Sequence, residues 1–329
     1  MHIINGELIR SDTTSKAMGG TELLSHRLVE ALPKELLDEV QIVVSRLKFP
    51  LDETKIRIYY CHDLPNDPES AHLANGGWAK FHRLVFVSNW QMQQYVSHYN
   101  IPWAKCVVIQ NSVVPIEAHE KPKDKIRLAY WSTPHRGLSI LYPVFAKLCE
   151  VHPDIELNVY SSFKLYGWEE SDAPFKPIFD ALETHPQVNY HGTVSNEVLR
   201  EELKKQHILA YPNTWVETSC LVLMEAMTAG MLAVHPNLGA LYETAAGWTS
   251  MYQYQETDQQ HANHFYQHLN RAIEIVKEGK LQEHLATQKT YADVFYNPIG
   301  KHAQWESLLV SLLNEPRALQ AEEYFTFRT

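Results

Sequence analysis

The run Glu217-Thr218-Ser219-Cys220-Leu221-Val222-Leu223-Met224-Glu225-Ala226-Met227-Thr228-Ala229-Gly230 sets two carboxylates eight positions apart, between a strand expected over 207–211 and an apolar helix. Glu217 precedes the helix, Ser219 is a candidate N-cap, and Glu225 lies about two turns in, on roughly the same side. Free N–H groups at a helix start suit an anionic ligand. Flanking carboxylates accept hydrogen bonds from hydroxyls, as recognition of a sugar and a ribose requires. A phosphate between two polyols describes a sugar nucleotide.

Three other segments could do chemistry. Ser15-Lys16-Ala17-Met18-Gly19-Gly20-Thr21-Glu22 stands between the first expected strand and a helix. Paired glycines there let backbone N–H groups approach a phosphate closely, although such a pair also serves as a plain turn. His62-Asp63-Leu64-Pro65 follows a strand expected over 56–61. Its histidine could bond a substrate hydroxyl or act as acid or base with Asp63 orienting it, or be a loop residue beside a turn. Ser132-Thr133-Pro134-His135-Arg136-Gly137-Leu138 opens another helix, where Arg136 could bind a diphosphate bidentately or lie solvated.

Some residues read as bystanders. His261, His264 and His268 are expected on a solvated face, because no nearby carboxylate or cysteine completes a metal site. No Asp-x-Asp occurs, which removes one common way of holding a metal–diphosphate complex. Trp131, Trp168 and Trp215 could stack on a sugar or base, with buried packing the expectation for each. Leu221, Leu223, Met224 and Met227 read as core.

The frame for these residues is a succession of short β-branched runs and helix-period segments, the pattern of parallel sheets with crossover helices. Strands are expected over 3–9, 40–45, 56–61, 84–88 and 106–109, with helices over 20–32 and 90–99. The polar, proline-bounded stretch 115–125 reads as a linker between an N-terminal domain, 1–114, and a second domain, 126–300. In the second, strands over 126–131, 155–160, 188–191, 207–211 and 231–235 alternate with helices. From about residue 261 the chain reads helical to 314 with a break at Asn297-Pro298, and 301–329 forms a C-terminal helix and tail. The expected fold is α/β: two Rossmann-like domains facing a cleft, ligands at the carboxyl ends of the strands, and C-terminal helices that could return to the N-terminal domain.

At 329 residues the chain exceeds one comfortable core. Its net charge of -10 argues against a general nucleic-acid role and strong attraction to anionic lipid. Four scattered cysteines, Cys61, Cys106, Cys149 and Cys220, suit a reducing compartment. With no signal-like N-terminus and no long apolar run, a cytoplasmic protein without a membrane span is expected.

Together these segments resemble the GT-B fold retaining glycosyltransferases of family 4, the glycosyl transferases group 1 type. Glu217 to Glu225 matches the E-x7-E motif, and Glu225-Ala226-Met227-Thr228-Ala229-Gly230 is close to E-A-M-A-x-G. Val87-Ser88-Asn89-Trp90 and Val108-Ile109-Gln110-Asn111-Ser112-Val113 resemble V-S-x-W and V-I-x-N-G-V. Gly19-Gly20 resembles the glycine-rich donor loop and His62-Asp63-Leu64-Pro65 the H-[ED]-x-P segment, while Arg136-Gly137-Leu138 sits where Lys-Gly-x is usual.

The resemblance implies a role for each matched residue. Glu217 would contact donor-sugar hydroxyls, and the N–H groups of Ser219, Cys220 and Leu221, beside Thr218, the diphosphate. Glu225 would hold the ribose and Arg136 the phosphates. Gly19-Gly20 would close over the leaving group, with His62 and Asp63 on the acceptor side. It implies hexose transfer with retention from a nucleotide diphosphate sugar, UDP- or GDP-linked first, to an unidentified glycan, small-molecule or protein acceptor, with no cofactor and no metal. The usual G-R-L element is absent: the stretch reads Tyr130-Trp131-Ser132-Thr133, so one expected arginine is missing and Ser132 or Thr133 would replace it only in part. That absence keeps a non-catalytic sugar-nucleotide-binding subunit as an alternative. An NAD-dependent oxidoreductase ranks lower, because no G-x-G-x-x-G follows the first strand.

Overall fold

The computed structural model describes residues 1–10 and 19–319, and the chain divides into two compact units: Met1–Asn111 with the segment from Pro298 on, and Ser112–Asn297. The first unit holds β1 (His2–Ile4), β2 (Glu7–Ile9), α1 (Gly20–Ala31), α2 (Lys34–Leu37), β3 (Val40–Val44), β4 (Ile56–Cys61), β5 (Arg83–Phe86), α3 (Asn89–Tyr99) and β6 (Cys106–Val108). The second holds β7 (Ile126–Tyr130), α4 (Leu138–Cys149), β8 (Ile155–Val159), α5 (Lys176–Thr184), β9 (Val188–Tyr190), α6 (Asn196–Leu203) and β10 (Ile208–Ala210). It continues with α7 (Leu221–Thr228), β11 (Leu232–Pro236), α8 (Leu241–Ala245), β12 (Ser250–Tyr252), α9 (Asp258–Lys277) and α10 (Gln282–Phe295). The last helix, α11 (Pro298–Leu312), belongs to the first unit.

In the first unit the sheet order is β2-β1-β3-β4-β5-β6, with β3 to β6 parallel and β1 antiparallel to both its neighbours. The single strand expected over 3–9 is instead a hairpin. Asn5 and Gly6 take positive φ, 53° and 72°, the two-residue turn that Asn-Gly favours because it follows the twist of the strands. Along β4 the side chains alternate: Ile56, Ile58 and Tyr60 enter one core, Tyr59 and Cys61 another. The first core is completed by Trp305, Leu309 and Leu312 of α11, the expected return of the C-terminal helix, and the second by Met92 and Tyr95 of α3.

The second unit's sheet is parallel throughout, in the order β12-β11-β10-β7-β8-β9. Read from β9, this is the doubly wound order 3-2-1-4-5-6, whose direction reverses between β7 and β10. Its central strands are buried on both faces, hence the near-continuous apolar runs Leu128-Ala129-Tyr130 and Ile208-Leu209-Ala210. Residues 115–125, read as a linker, lie along this unit: Ile116 is in its core, and Lys121 Nζ donates to the Ala229 carbonyl at 2.9 Å. The helical stretch expected from 261 to 314 is broken twice, because Gly279, φ 67°, stops α9 as a left-handed residue just past the helix end. Among the described residues no helix is long and apolar enough to cross a membrane. The end of the expected tail, 320–329, lies outside the described residues.

Candidate functional site

The loops leaving β7 and β10 meet at the reversal of strand order. Arg136 Nη1 lies 2.6 Å from Glu217 Oε1, and the buried Tyr211 hydroxyl donates to the same oxygen at 2.8 Å. Glu217 Oε2 receives no hydrogen bond among the described residues. The Glu217 side chain is 6% exposed and that of Arg136 25%. Burial works against the Arg136 charge, yet the Glu217 carboxylate outweighs it and raises the guanidinium well above its ordinary value.

Two glycines let the loops come this close. Gly137 takes φ 107°, and a Cβ there would sit 2.0 Å from the Pro212 carbonyl oxygen. Gly239 takes φ 63° and pairs with Glu217 in a single parallel bridge, with a Cβ meeting the Glu217 oxygen at 2.4 Å. Ala240 N–H then donates to the Glu217 carbonyl at 2.7 Å, so the backbone of the acid is fixed independently of its side chain.

Around this pair, buried polar atoms stand without partners among the described residues. Thr133 Oγ1, His135 Nδ1, Arg136 Nε and Ser219 Oγ find no hydrogen-bond partner among the described residues. A polar group left so costs about 1–3 kcal/mol, which a polar ligand would recover. The expected N-cap shifts by one residue: α7 starts at Leu221 with Cys220 at its N-cap, and no side chain caps its first N–H groups. Ser219 therefore stands outside the helix. Thr218 is half-buried between Glu217 and Ser219. Ser132 ties the loop down through its carbonyl, which accepts from Ser161 Oγ at 2.6 Å.

Glu225, half-buried in α7, accepts at Oε2 from the Trp131 indole N–H at 2.9 Å. Trp131 is buried as expected, but Trp168 and Trp215 are 56% and 48% exposed. Trp215 stands edge-on to His135 at 5.1 Å, with Arg136 Cζ 6.0 Å from its ring centre, and His135 stacks on Phe163 at 5.2 Å. Burial, then the Arg136 charge, lower the His135 pKa to about 4, so the ring is neutral at neutral pH. Sequence reasoning did not assign roles to His135, Tyr211 or Gly239, whose contacts come from residues distant along the chain.

In the first unit His62 follows β4. Its N–H donates to Ser45 Oγ at 3.0 Å, and its ring lies edge-on to Tyr60 at 4.3 Å. Burial lowers its pKa to about 3, which leaves a neutral imidazole. The carboxylate of Asp63, a candidate to orient that ring, faces Arg46 Nε at 3.9 Å, and its backbone carbonyl accepts from Gln91 Nε2 at 2.8 Å. Gly19 is the N-cap of α1 and Gly20 its first residue, with no side-chain cap. Ser15 to Met18 of the same loop lie outside the described residues.

The expected solvated histidine face is also corrected. His261 is 1% exposed and hydrogen-bonded by Nε2 to Tyr252 Oη and the Pro212 carbonyl, both at 3.2 Å, so α9 packs this residue inward. Among the described residues no three His, Cys, Asp or Glu side chains group as metal ligands.

Two α/β units with parallel strands, one doubly wound and carrying polar groups at its switch point, are the composition of a GT-B protein. The sequence profile of the family described as Glycosyl transferases group 1 matches residues 116–286, just over half of the chain, and the chain belongs to that family. A search of curated proteins found no match. Among solved structures, the chain is similar to a glycosyltransferase from Rickettsia africae ESF-5, with a TM-score of 0.68, 15% identity and coverage of 93% of this chain and 85% of that one. It is similar to Anabaena HepE in complex with UDP-glucose, with a TM-score of 0.61, 15% identity and coverage of 88% and 77%. It also resembles the pneumococcal O-GlcNAc transferase GtfA in complex with UDP and GlcNAc, with a TM-score of 0.62, 13% identity and coverage of 80% of this chain and 54% of that one. At these identities the likeness is one of fold.

Proposed function

We propose that the protein is a retaining, metal-independent glycosyltransferase of family 4 that moves a hexose from a nucleotide diphosphate sugar to an acceptor hydroxyl in the cytoplasm. One observation carries the reading. The Arg136–Glu217 pair stands at the switch point among buried polar atoms, Thr133 Oγ1, Arg136 Nε and Ser219 Oγ, that have no partner among the described residues. Such a place suits an anion flanked by hydroxyls.

In this reading Arg136, Thr133, Ser219 and the N–H groups of Ser219, Cys220 and Leu221 hold the diphosphate. Glu217 Oε2 accepts from a donor-sugar hydroxyl and Glu225 from the ribose. As the bond from the sugar's anomeric carbon to the diphosphate breaks, negative charge grows on the departing oxygen. Arg136 and the oriented N–H donors stabilise it, the usual largest electrostatic contribution. His62, with Asp63 beside it, is assigned to the acceptor as a neutral hydrogen-bonding ring, and Gly19 and Gly20 to the donor. UDP- or GDP-linked donors lead; HepE and GtfA were each solved with uridine nucleotides, which favours UDP. A glycan, a small molecule or a protein could accept.

The neutral Trp131 in the stretch where the family commonly has an arginine favours a second reading, a sugar-nucleotide-binding subunit without turnover. Thermal unfolding with UDP-, GDP- and ADP-sugars in EDTA, with NAD as control, tests the site, since a ligand that binds the native state raises the melting temperature. Release of free nucleotide from the stabilised mixture separates enzyme from subunit, and the anomeric signal of the product reports retention. No stabilisation by any sugar nucleotide at millimolar concentration would sink both readings.

A further inference from the structure

We infer that Tyr211 is a positioning residue that holds the Glu217 carboxylate in one rotation, with Oε1 occupied and Oε2 turned to the sugar; this rests on the donor-site reading above. The Tyr211 side chain is fully buried at the end of β10, and burial, then the nearby Glu217 charge, push its phenol pKa well up. It therefore stays protonated and can only donate to the carboxylate. Its hydroxyl and Arg136 Nη1 converge on one oxygen, at 2.8 Å and 2.6 Å.

One donor on a carboxylate leaves the group free to turn about its last torsion, which is broad and roughly two-fold for glutamate. Arg136 alone could follow either oxygen, because its side chain is 25% exposed and carries several N–H groups. The phenol cannot follow: it is locked in the core, with the Tyr130 ring 5.9 Å away. With both donors on Oε1, the other oxygen has a fixed direction, and the backbone bridge from Glu217 to Gly239 fixes where that direction starts. A sugar hydroxyl then meets an acceptor already in place, so less freedom is lost on binding.

The test is Tyr211→Phe, which removes one oxygen and keeps the packed ring, measured by calorimetric titration with UDP and UDP-glucose and, in parallel, GDP and GDP-mannose. UDP and GDP lack the donor hexose that Glu217 is assigned to hold, so their affinity should stay at the wild-type value. The sugar nucleotide that binds the wild-type protein should bind the variant about threefold to tenfold more weakly, the worth of one hydrogen bond. A double-mutant cycle adds the readout that a packing role would not move. In a Glu217→Ala background the same Tyr211→Phe change should cost no further sugar-nucleotide affinity, because the carboxylate it positions is gone. Equal loss of UDP and UDP-glucose, additive losses in the cycle, unchanged sugar-nucleotide binding, or a variant that no longer folds would each overturn the positioning role. Failure of the wild-type protein to bind any of the four compounds would overturn the donor-site reading itself.

Discussion

The Trp131 indole N–H donates to Glu225 Oε2 at 2.9 Å, a bond that spans 94 residues of chain and joins the loop after β7 to the second carboxylate of the E-x7-E run. A neutral, buried ring thus orients an acid from the neighbouring strand end. Trp131→Phe keeps most of the packing and removes the donor. It should lower stability by about 1 kcal/mol, or about 2–4 °C in melting temperature for a unit of this size. UDP should bind several-fold more weakly if Glu225 holds the ribose, and an unchanged UDP titration would remove Glu225 from that role.

The ion pair offers a cleaner separation of folding from function. Arg136→Ala leaves the Glu217 carboxylate, 6% exposed, without its cation, so a loss of about 3 kcal/mol is expected at this partly buried site. Adding Glu217→Gln should restore most of that stability, since a neutral amide needs no counter-charge, while transfer stays at least about 100-fold below wild type. Denaturant unfolding and nucleotide release check the two halves. Recovery of transfer in the double variant would contradict the assigned roles.

Gly137 permits a contact that no side chain tolerates. With φ at 107° and a Cβ only 2.0 Å from the Pro212 carbonyl oxygen, Gly137→Ala should force the two site loops apart. We expect a loss of more than about 1 kcal/mol of stability, from the strained φ alone, and a larger effect on UDP-sugar binding. Chemical denaturation of the variant decides it: full stability would mean that the loops have more room than described.

Acid should loosen the fold in a defined direction. His62 and His135 are lowered from the ordinary 6.5 to about 3 and about 4, by burial in the first case and by burial plus the Arg136 charge in the second. Below the unfolded pKa the unfolded chain takes up protons that the folded chain refuses, so stability falls as pH drops from about 6.5 towards 4. The unfolding midpoint should therefore be lower at about pH 5 than at about pH 7.5, and less steeply so in His62→Asn. The transfer rate should show no inflection from His62 between about pH 5 and 8, because the ring stays neutral throughout. An identical slope in the variant would reassign the acid sensitivity to other groups.

The strands and the acid pair were legible because their signals are local. Alternating and continuous apolar runs mark the sheets, and the E-x7-E spacing lies within one strand–helix junction. What escaped depends on contacts made at a distance or on a local signal overruled by hydrophobicity. The run 3–9 reads as one strand by its isoleucines, although Asn5-Gly6 is the turn. Trp215 resembles a core residue until the loop bearing His135 is placed beside it. Tyr211 and Gly239 earn their roles only once β10 and the loop after β11 are adjacent. The second helical break at Gly279 was hidden because a lone glycine in a helical pattern is often tolerated.

The return of α11 to the first unit has a consequence in time. The second unit's core is complete once Tyr296 is made, whereas one of the first unit's two cores waits for Trp305, Leu309 and Leu312. During synthesis, residues 1–111 emerge first, yet the last wall of one of their cores arrives only with the segment from Pro298 on. A chain cut back to Asn297 would keep every core residue of the later-made unit and strip one wall from the earlier-made one. In a series of nascent chains, protease resistance should accordingly reach 112–297 before it reaches the N-terminal hundred residues.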